Sequence, residues 1–345
     1  MMSEIRYAVV GLNHGRGHVK CALESDDIEL VALCDRDEKV LNNVGEKDLK
    51  RFTHYGELVT WGEFDAVVIA VPPSLHKKFS LRALDAGKHV LVEKPLTDNL
   101  EDSYELKKAA HNAETVFQVG YCVRSSPLIR RLREMIRSDQ LGQITSVWFD
   151  MFLKYPGGKQ DWRQSRETRG GKLFDCMPHY FDVMQLLAGA RFERLSAFGH
   201  EPGKTGVNAD RIPTIASVML EYRNGVKGTH LLSGVTPVTG NSSHFGVAGT
   251  RGIVYGNPWD PDGAGSLECQ LEDGLYQNTI RINGDMASRG HLGFREQHEA
   301  FVRIIKTGDG NPCTADEAYE VDVTMEAIDR SLTTGKTISR EDILL

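Results

Sequence analysis

The chain has 345 residues, 40% of them hydrophobic and 26% charged, with a formal net charge of −7. This length exceeds the usual single domain and the composition supports a substantial apolar core, so two globular domains are expected. The charge is spread along the chain, its most basic run is IRRLREMIR as the solvated face of a helix, and no apolar run reaches the roughly 18 residues of a membrane span, so neither nucleic acid nor membrane is expected as a partner.

Five short runs open the chain in order: IRYAVVG, IELVALCD, DAVVIAVP, HVLVE and TVFQVG. Each is β-branched and nearly continuous in apolar character, as strands buried on both faces are. Helical stretches around 17–25, 37–47, 76–86 and 99–112 separate them, which gives βαβ units and a doubly wound parallel sheet over residues 1–122. A helix near 126–138 follows. The texture then changes to alternating strands such as TIASVMLEY and GVKGTHLLS, with a turn at Arg223-Asn224-Gly225. One helix near 176–188, closed by Gly189, interrupts them, and two more near 295–307 and 315–334 complete the chain. Residues 123–345 are thus expected to form an α+β domain with a largely antiparallel, open-faced sheet. The glycine-rich stretch 256–266 reads as a surface loop.

The six cysteines, Cys21, Cys34, Cys122, Cys176, Cys269 and Cys313, form no C-x-x-C pair. Reduced thiols are expected, not a disulfide frame or zinc ribbon. With no signal segment ahead of the first strand, a cytoplasmic protein is the default.

The first strand leads into GLNHGRGH, a divergent form of the G-x-G-x-x-G phosphate loop. Gly11 fits the first position, but Asn13 and Arg16 occupy the other two, and a frame starting at Gly15 fails at Lys20. A turn from Gly11 to a helix beginning near Gly17, with Asn13 tolerating positive φ and His14 beside it, can still aim backbone N–H groups at a pyrophosphate. Asp35 ends the second strand at the spacing of a ribose-binding acid and argues for NAD; Arg36 favours a phosphate and pulls toward NADP. His14 and His18 stand four apart without a third metal ligand nearby, so no metal is expected.

More specific is the passage in which Val71-Pro72-Pro73 ends one strand, His76 opens the next helix, and Glu93-Lys94-Pro95 follows at the carboxyl end of the next strand. Open α/β sheets bind their ligands at such ends. A later block, RGGKLFDCMPHYFDVMQLLAG, places Asp175 at or just before a helix start, because Pro178 fits only a first turn, with His179 in that turn and Asp182 one turn on.

The combination resembles the glucose-fructose oxidoreductase and inositol dehydrogenase family, Gfo/Idh/MocA, over essentially the whole chain. The family's later block runs G-G-G and then D-x-G-x-H-x-x-D. Gly170, Gly171, Asp175, His179 and Asp182 match it, whereas Lys172 and Met177 replace glycines. The resemblance implies an N-terminal Rossmann domain that binds NAD, with NADP as the alternative. It also implies a secondary hydroxyl of a sugar, polyol or related carbohydrate as the reacting group. Lys94, Asp175 and His179 would be the catalytic set, with Asp175 orienting His179 and Lys94 stabilising charge on the substrate oxygen. Trp162-Arg163 resembles a pair that reaches the nicotinamide, and Arg163 and Tyr121 are further candidates for substrate contact.

Arg124 is open to a cleft or a structural role, whereas His291, Tyr155 and His230 read as structural. A homodimer or homotetramer through the open-faced sheet is expected. Two other readings stay open at this point: a glycosidase or epimerase that oxidises its sugar transiently with no net NADH, and a non-catalytic nucleotide sensor.

Overall fold

The computed structural model describes residues 3–45, 48–153, 172–200, 213–236, 242–257, 265–272, 278–282, 293–310 and 312–344. The chain divides into two compact units, Met1–Cys122 with Phe294–Asp322, and Val123–Gly293 with Val323–Leu345. The first unit therefore takes back a segment from far along the chain. A division into two consecutive pieces does not anticipate this, because helical periodicity tells which face is buried but not against what.

In the first unit the order is β1 (Ile5–Val10), α1 (Leu12–Leu23), β2 (Ile28–Cys34), α2 (Glu38–Asn42), β3 (Lys50–Phe52), α3 (Tyr55–Trp61), β4 (Ala66–Ile69), α4 (His76–Asp85), β5 (His89–Val92), α5 (Leu100–Asn112) and β6 (Phe117–Val119). The sheet runs β3-β2-β1-β4-β5-β6 with every pair parallel. The chain order reverses between β1 and β4, and the carboxyl ends of the strands beside that switch point form the ligand crevice of such sheets. The continuous apolar strands are buried as expected: Ala8, Val9, Val67, Val68, Val90 and Leu91 have no exposed surface.

Three local expectations are corrected. α1 begins at Leu12, not near Gly17. The helix predicted over 37–47 is one short turn and a half, Glu38–Asn42, started by Asp37, whose side chain accepts from the Lys39 N–H. The three-residue β3 and the short α3 carry too few residues to show a period and are defined by what they pair with or pack on.

The second unit holds α6 (Pro127–Arg137), β7 (Ile144–Phe152), α7 (Lys172–Ala188), β8 (Phe192–His200), β9 (Ile215–Tyr222), β10 (Lys227–Ser233), β11 (Ser242–Gly249), β12 (Gly252–Asn257), β13 (Gly265–Leu271) and β14 (Asn278–Ile282). Next in the chain come α8 (Phe294–Thr307), which belongs to the first unit, and α9 (Ala315–Thr334), which begins in the first unit and ends in the second. β15 (Ile338–Ser339) and α10 (Glu341–Leu344) close the second unit. Its nine-stranded sheet runs β14-β13-β12-β11-β7-β10-β9-β8-β15 and is antiparallel except where β7 and β10 run parallel. The stretch 256–266 ends inside the β12–β13 hairpin, and 258–264 lie outside the described residues.

One face of this sheet is core. Ala197, Val218, His230, Phe149 and Phe245 stand opposite one another on β8, β9, β10, β7 and β11 and are buried. α7 packs on that face: the Tyr180 ring lies 4.2 Å from Phe149 and Phe181 meets His230 edge-on at 5.2 Å. Strand alternation puts Phe198, Met219, Thr229, Trp148 and Tyr255 on the other face, where Phe198 is 64% and Met219 62% exposed. The Arg223-Asn224-Gly225 turn is present, with Gly225 at φ 86°. No helix among the described residues is long and apolar enough to cross a membrane.

α7 differs from the expectation in its start. It begins at Lys172, so Asp175 lies in its first turn and Pro178 inside the helix. Proline cannot donate to the helical ladder, and the apolar face of α7, with Met177, Tyr180, Phe181, Val183 and Met184 all buried, outweighs that loss.

Burial lowers the proton affinity of His76, His230 and His298, that of His230 to about 4 despite its backbone hydrogen bond to Phe149. These rings stay neutral in the folded chain while their unfolded counterparts take up protons near pH 6.5. Stability is therefore whole above that value and falls on acidification, for His230 by about 1.4 kcal/mol per pH unit between its unfolded and folded values. Urea midpoints from pH 7.5 to 4.5 should show this decline, and His230→Leu should flatten it. An unchanged slope in that variant would clear His230 of the effect.

Candidate active site

The crevice of the first unit is built around Gly11. Its φ is 86°, and a Cβ there would meet the Ala70 carbonyl oxygen at 2.4 Å, so only glycine allows β1 and the end of β4 this close. Gly15 lies where a Cβ would touch Val9 at 3.1 Å, which lets α1 rest on β1. Two of the three glycine roles in the fingerprint, the tight turn and the helix–strand approach, are thus filled by Gly11 and Gly15. Neither linear frame reveals this because the intervening spacing is shorter.

Gly11 has no side chain to cap α1, and Asp35 supplies the cap from the end of β2. Its Oδ2 accepts from the Leu12 N–H at 2.7 Å, and its Oδ1 accepts from the Asp37 N–H at 3.0 Å. This explains why the helix starts at Leu12. Asn13 consequently sits in the right-handed first turn, and its expected positive φ is not observed. Asn13 and His14 are exposed there, Asp35 is half-buried, and Arg36 next to it is exposed. No acidic residue lies in the first turn of α1, so the carboxylate at the positive end of its dipole is that of Asp35.

The ends of β4 and β5 complete the crevice. Val71 is half-buried and Pro72 exposed, and Pro73–Leu75 forms a 3-10 turn leading into α4. His76 is fully buried, its Nδ1 lying 2.9 Å from the Pro95 carbonyl oxygen and its Nε2 2.9 Å from that of Val71. A neutral ring carries one N–H, so His76 sits between the two loops and donates to one of these carbonyls. Lys94 is half-buried and followed by a cis peptide to Pro95. Glu93 is 6% exposed, and its oxygens are met by the His18 ring and the Lys94 backbone N–H. Of the residues expected at a cofactor, His76 and Glu93 are therefore turned into the protein, whereas Gly11, Asn13, His14, Asp35, Val71, Pro72, Pro73 and Lys94 gather at the carboxyl ends of β1, β2, β4 and β5.

In the second unit Asp175 and His179 are half-buried and stand four apart on α7, hence on one helical face. Asp182 is fully buried and joined to buried Arg124, whose Nε donates to Oδ2 at 2.8 Å and whose second nitrogen donates to Oδ1. Arg124 thus anchors α7 one turn beyond His179. Tyr121, in the first unit, is 1% exposed. His230 lies in the core under α7, as its structural reading requires. Trp162, Arg163, Tyr155, His291, Gly170 and Gly171 lie outside the described residues. Among the described residues no group of three or more His, Cys, Asp or Glu side chains is arranged to hold a metal.

In the first unit, two partnerships at the site had no sequence signal. One is the capping of α1 by Asp35. The other is the contact of His18 with both Glu93 and His298, the latter 280 residues away.

Comparison with known proteins agrees with this architecture. A profile described as the oxidoreductase family with NAD-binding Rossmann fold matches residues 5–121, and the GFO/IDH/MocA C-terminal domain matches residues 129–255. D-xylose 1-dehydrogenase (NADP(+)) 2 of Haloferax volcanii is 28% identical over 323 residues, covering 92% of this chain and 94% of its own. scyllo-Inositol 2-dehydrogenase (NAD(+)) of Bacillus subtilis is 26% identical over 316 residues, covering 89% and 88%. The crystal structure of GenD2 from gentamicin A biosynthesis in complex with NAD superposes with a TM-score of 0.81 at 25% identity, covering 98% and 97%. With both of its domains matched in order, the chain belongs to the Gfo/Idh/MocA family and is an oxidoreductase whose first unit is an NAD-binding Rossmann domain.

Proposed function

We propose that the protein transfers a hydride between a nicotinamide cofactor and a secondary hydroxyl of a sugar or polyol, with Lys94, Asp175 and His179 as its catalytic residues. The observation that carries this reading is the convergence of Gly11, Asp35 and Lys94 at the carboxyl ends of β1, β2 and β5, beside the switch point. The residues present fit a dinucleotide. Gly11 lets the turn into α1 lie against the end of β4, where a Cβ would collide with Ala70, the first-turn N–H groups after Leu12 suit a pyrophosphate, and Asp35 ends β2, where such folds place the acid that binds the ribose. Asp35 favours NAD; exposed Arg36 leaves NADP as the competitor.

The bound nicotinamide supplies the hydride acceptor or donor. The chain supplies the rest. In the oxidation direction the imidazole of His179 takes the hydroxyl proton, since its type suits proton transfer near neutral pH. Asp175, one turn earlier on the same helical face, orients that ring. The Lys94 ammonium stabilises negative charge on the substrate oxygen as the proton leaves. Trp162 and Arg163 are proposed to contact the cofactor, and Arg163 and Tyr121 the substrate. Several relatives are named for sugars and polyols, D-xylose and scyllo-inositol among them, which supports that class of substrate here.

The test is calorimetric titration with NAD and NADP, followed by absorbance at the NADH band with D-xylose, scyllo-inositol, myo-inositol and D-glucose. NAD binding with net NADH formation is expected. Binding with product but no net NADH would replace this reading by transient oxidation, and no binding at all would remove the dinucleotide site. We also propose that the exposed Phe198–Met219 face of the nine-stranded sheet is covered by a second copy of the chain, which light scattering would contradict by returning a monomer mass.

A further inference from the structure

Under the start of α1 lies a line of buried polar side chains that the proposed chemistry does not use. His18 is fully buried, His298 on α8 is 2% exposed and Glu93 6%. His18 Nε2 is 3.0 Å from Glu93 Oε1, and its Nδ1 is 2.9 Å from His298 Nε2. The other carboxylate oxygen of Glu93 accepts from the Lys94 backbone N–H at 3.2 Å. Gly120 makes room for this carboxylate, since a Cβ there would lie 3.2 Å from Glu93 Cα and 3.3 Å from Oε1.

The proton positions follow from the partners. Burial raises the Glu93 carboxyl, but the hydrogen bond from His18 and the nearby His14, His18 and Lys94 outweigh it and hold it well below the usual carboxylate range. An ionised carboxylate only accepts, so the proton of His18 sits on Nε2. His298 Nε2 then stands where its N–H can donate to the remaining ring nitrogen of His18, Nδ1. Burial keeps His298 itself neutral. Its Nδ1 has no partner among the described residues, and in this tautomer that atom is a lone pair and not an N–H, the less costly group to leave unmet. The two contacts of the His18 ring thus link α8 to α1 to the end of β5, where the Glu93 carboxylate accepts from both His18 and the Lys94 backbone N–H.

We propose that His298 is a positioning residue for Lys94: it fixes the tautomer and orientation of His18, His18 fixes the Glu93 carboxylate, and Glu93 holds the peptide from which the Lys94 side chain departs. This rests on the reading that Lys94 acts on the substrate oxygen. It also gives a purpose to the return of Phe294–Asp322 to the first unit, because that segment brings the first member of the line.

The experiment compares His298→Leu with His298→Gln, whose amide can donate to His18 Nδ1 as the imidazole does. NAD affinity by calorimetry should stay within about threefold of the parent in both, as neither alters the Gly11 turn. With the substrate found in the panel above, His298→Leu should lose about 10- to 100-fold in kcat with little change in KM, the scale of a misplaced reacting group, and His298→Gln should recover most of it. Equal activity in the two variants, whether intact or impaired, would overturn the inference. Nitrogen-15 spectra of histidines in the unaltered protein give a second readout that does not depend on the leucine variant folding. His18 and His298 should both carry their proton on Nε2, and protonation of His298 on Nδ1 would also overturn it. Lys94→Met separates the underlying reading: if that variant turns over normally, the role of Lys94 fails and this inference with it. An inactive Lys94→Met beside a fully active His298→Leu would reject the positioning line alone.

Discussion

Replacing His179 by asparagine should lower kcat by about a thousandfold, within the range that a positioned general base contributes, while leaving NAD binding unchanged. The separation follows from where the residue stands. His179 is on α7 of the second unit, and the turn and carboxylate read as holding the dinucleotide, Gly11 and Asp35, belong to the first. Asparagine keeps polarity and most of the volume in the helix, so unfolding should not account for the loss, and a thermal melt of the variant checks this. Calorimetry and single-turnover absorbance together decide the matter: parent-like turnover removes His179 as the base, and lost NAD binding would assign it to the cofactor instead. Asp175→Asn should give a smaller loss, because it acts through the ring and not on the substrate proton.

Arg124→Met should cost about 3–5 kcal/mol of stability, the usual consequence of stripping one partner from a buried ion pair. Asp182 has no exposed surface and Arg124 is 2% exposed, so neither charge can turn to solvent when the other is removed. The double variant Arg124→Met with Asp182→Leu should recover most of the loss, since two apolar side chains of similar volume leave no charge buried. Urea unfolding of the single and double variants measures both numbers. A single variant within 1 kcal/mol of the parent on the same scale would show that the pair is not what anchors α7.

The two predictions differ in how far the sequence foretells them. His179 stands in a motif whose residue types and spacing carry their own chemistry, and it can be singled out without coordinates. The Arg124–Asp182 pair cannot, because nothing local distinguishes a buried arginine from one on the surface. The same contrast recurs in the first unit. β1, β2, β4 and β5 are legible as continuous apolar runs, whereas Lys50-Arg51-Phe52 becomes a strand only by lying beside β2. The proline at 178 suggests a helix start, but the packed apolar face of α7 carries the helix past it to Lys172.

By itself the sequence determined the fold class, the apolar strands β1, β2, β4, β5 and β6 of the first unit, the place of Lys94 after β5, and the family. All of these rest on periodicity, turn chemistry or short motifs, which are properties of neighbours in the chain. Only the tertiary structure decided that Asp35 caps α1, that Gly15 takes over a role its spacing denies it, that α8 returns to the first unit, and that Glu93 meets His18. The physical reason is common to the four. A buried polar or charged group must find a partner, and a close backbone approach must find space. Where either is found depends on which distant segments meet, a property of the assembled core that no local pattern encodes.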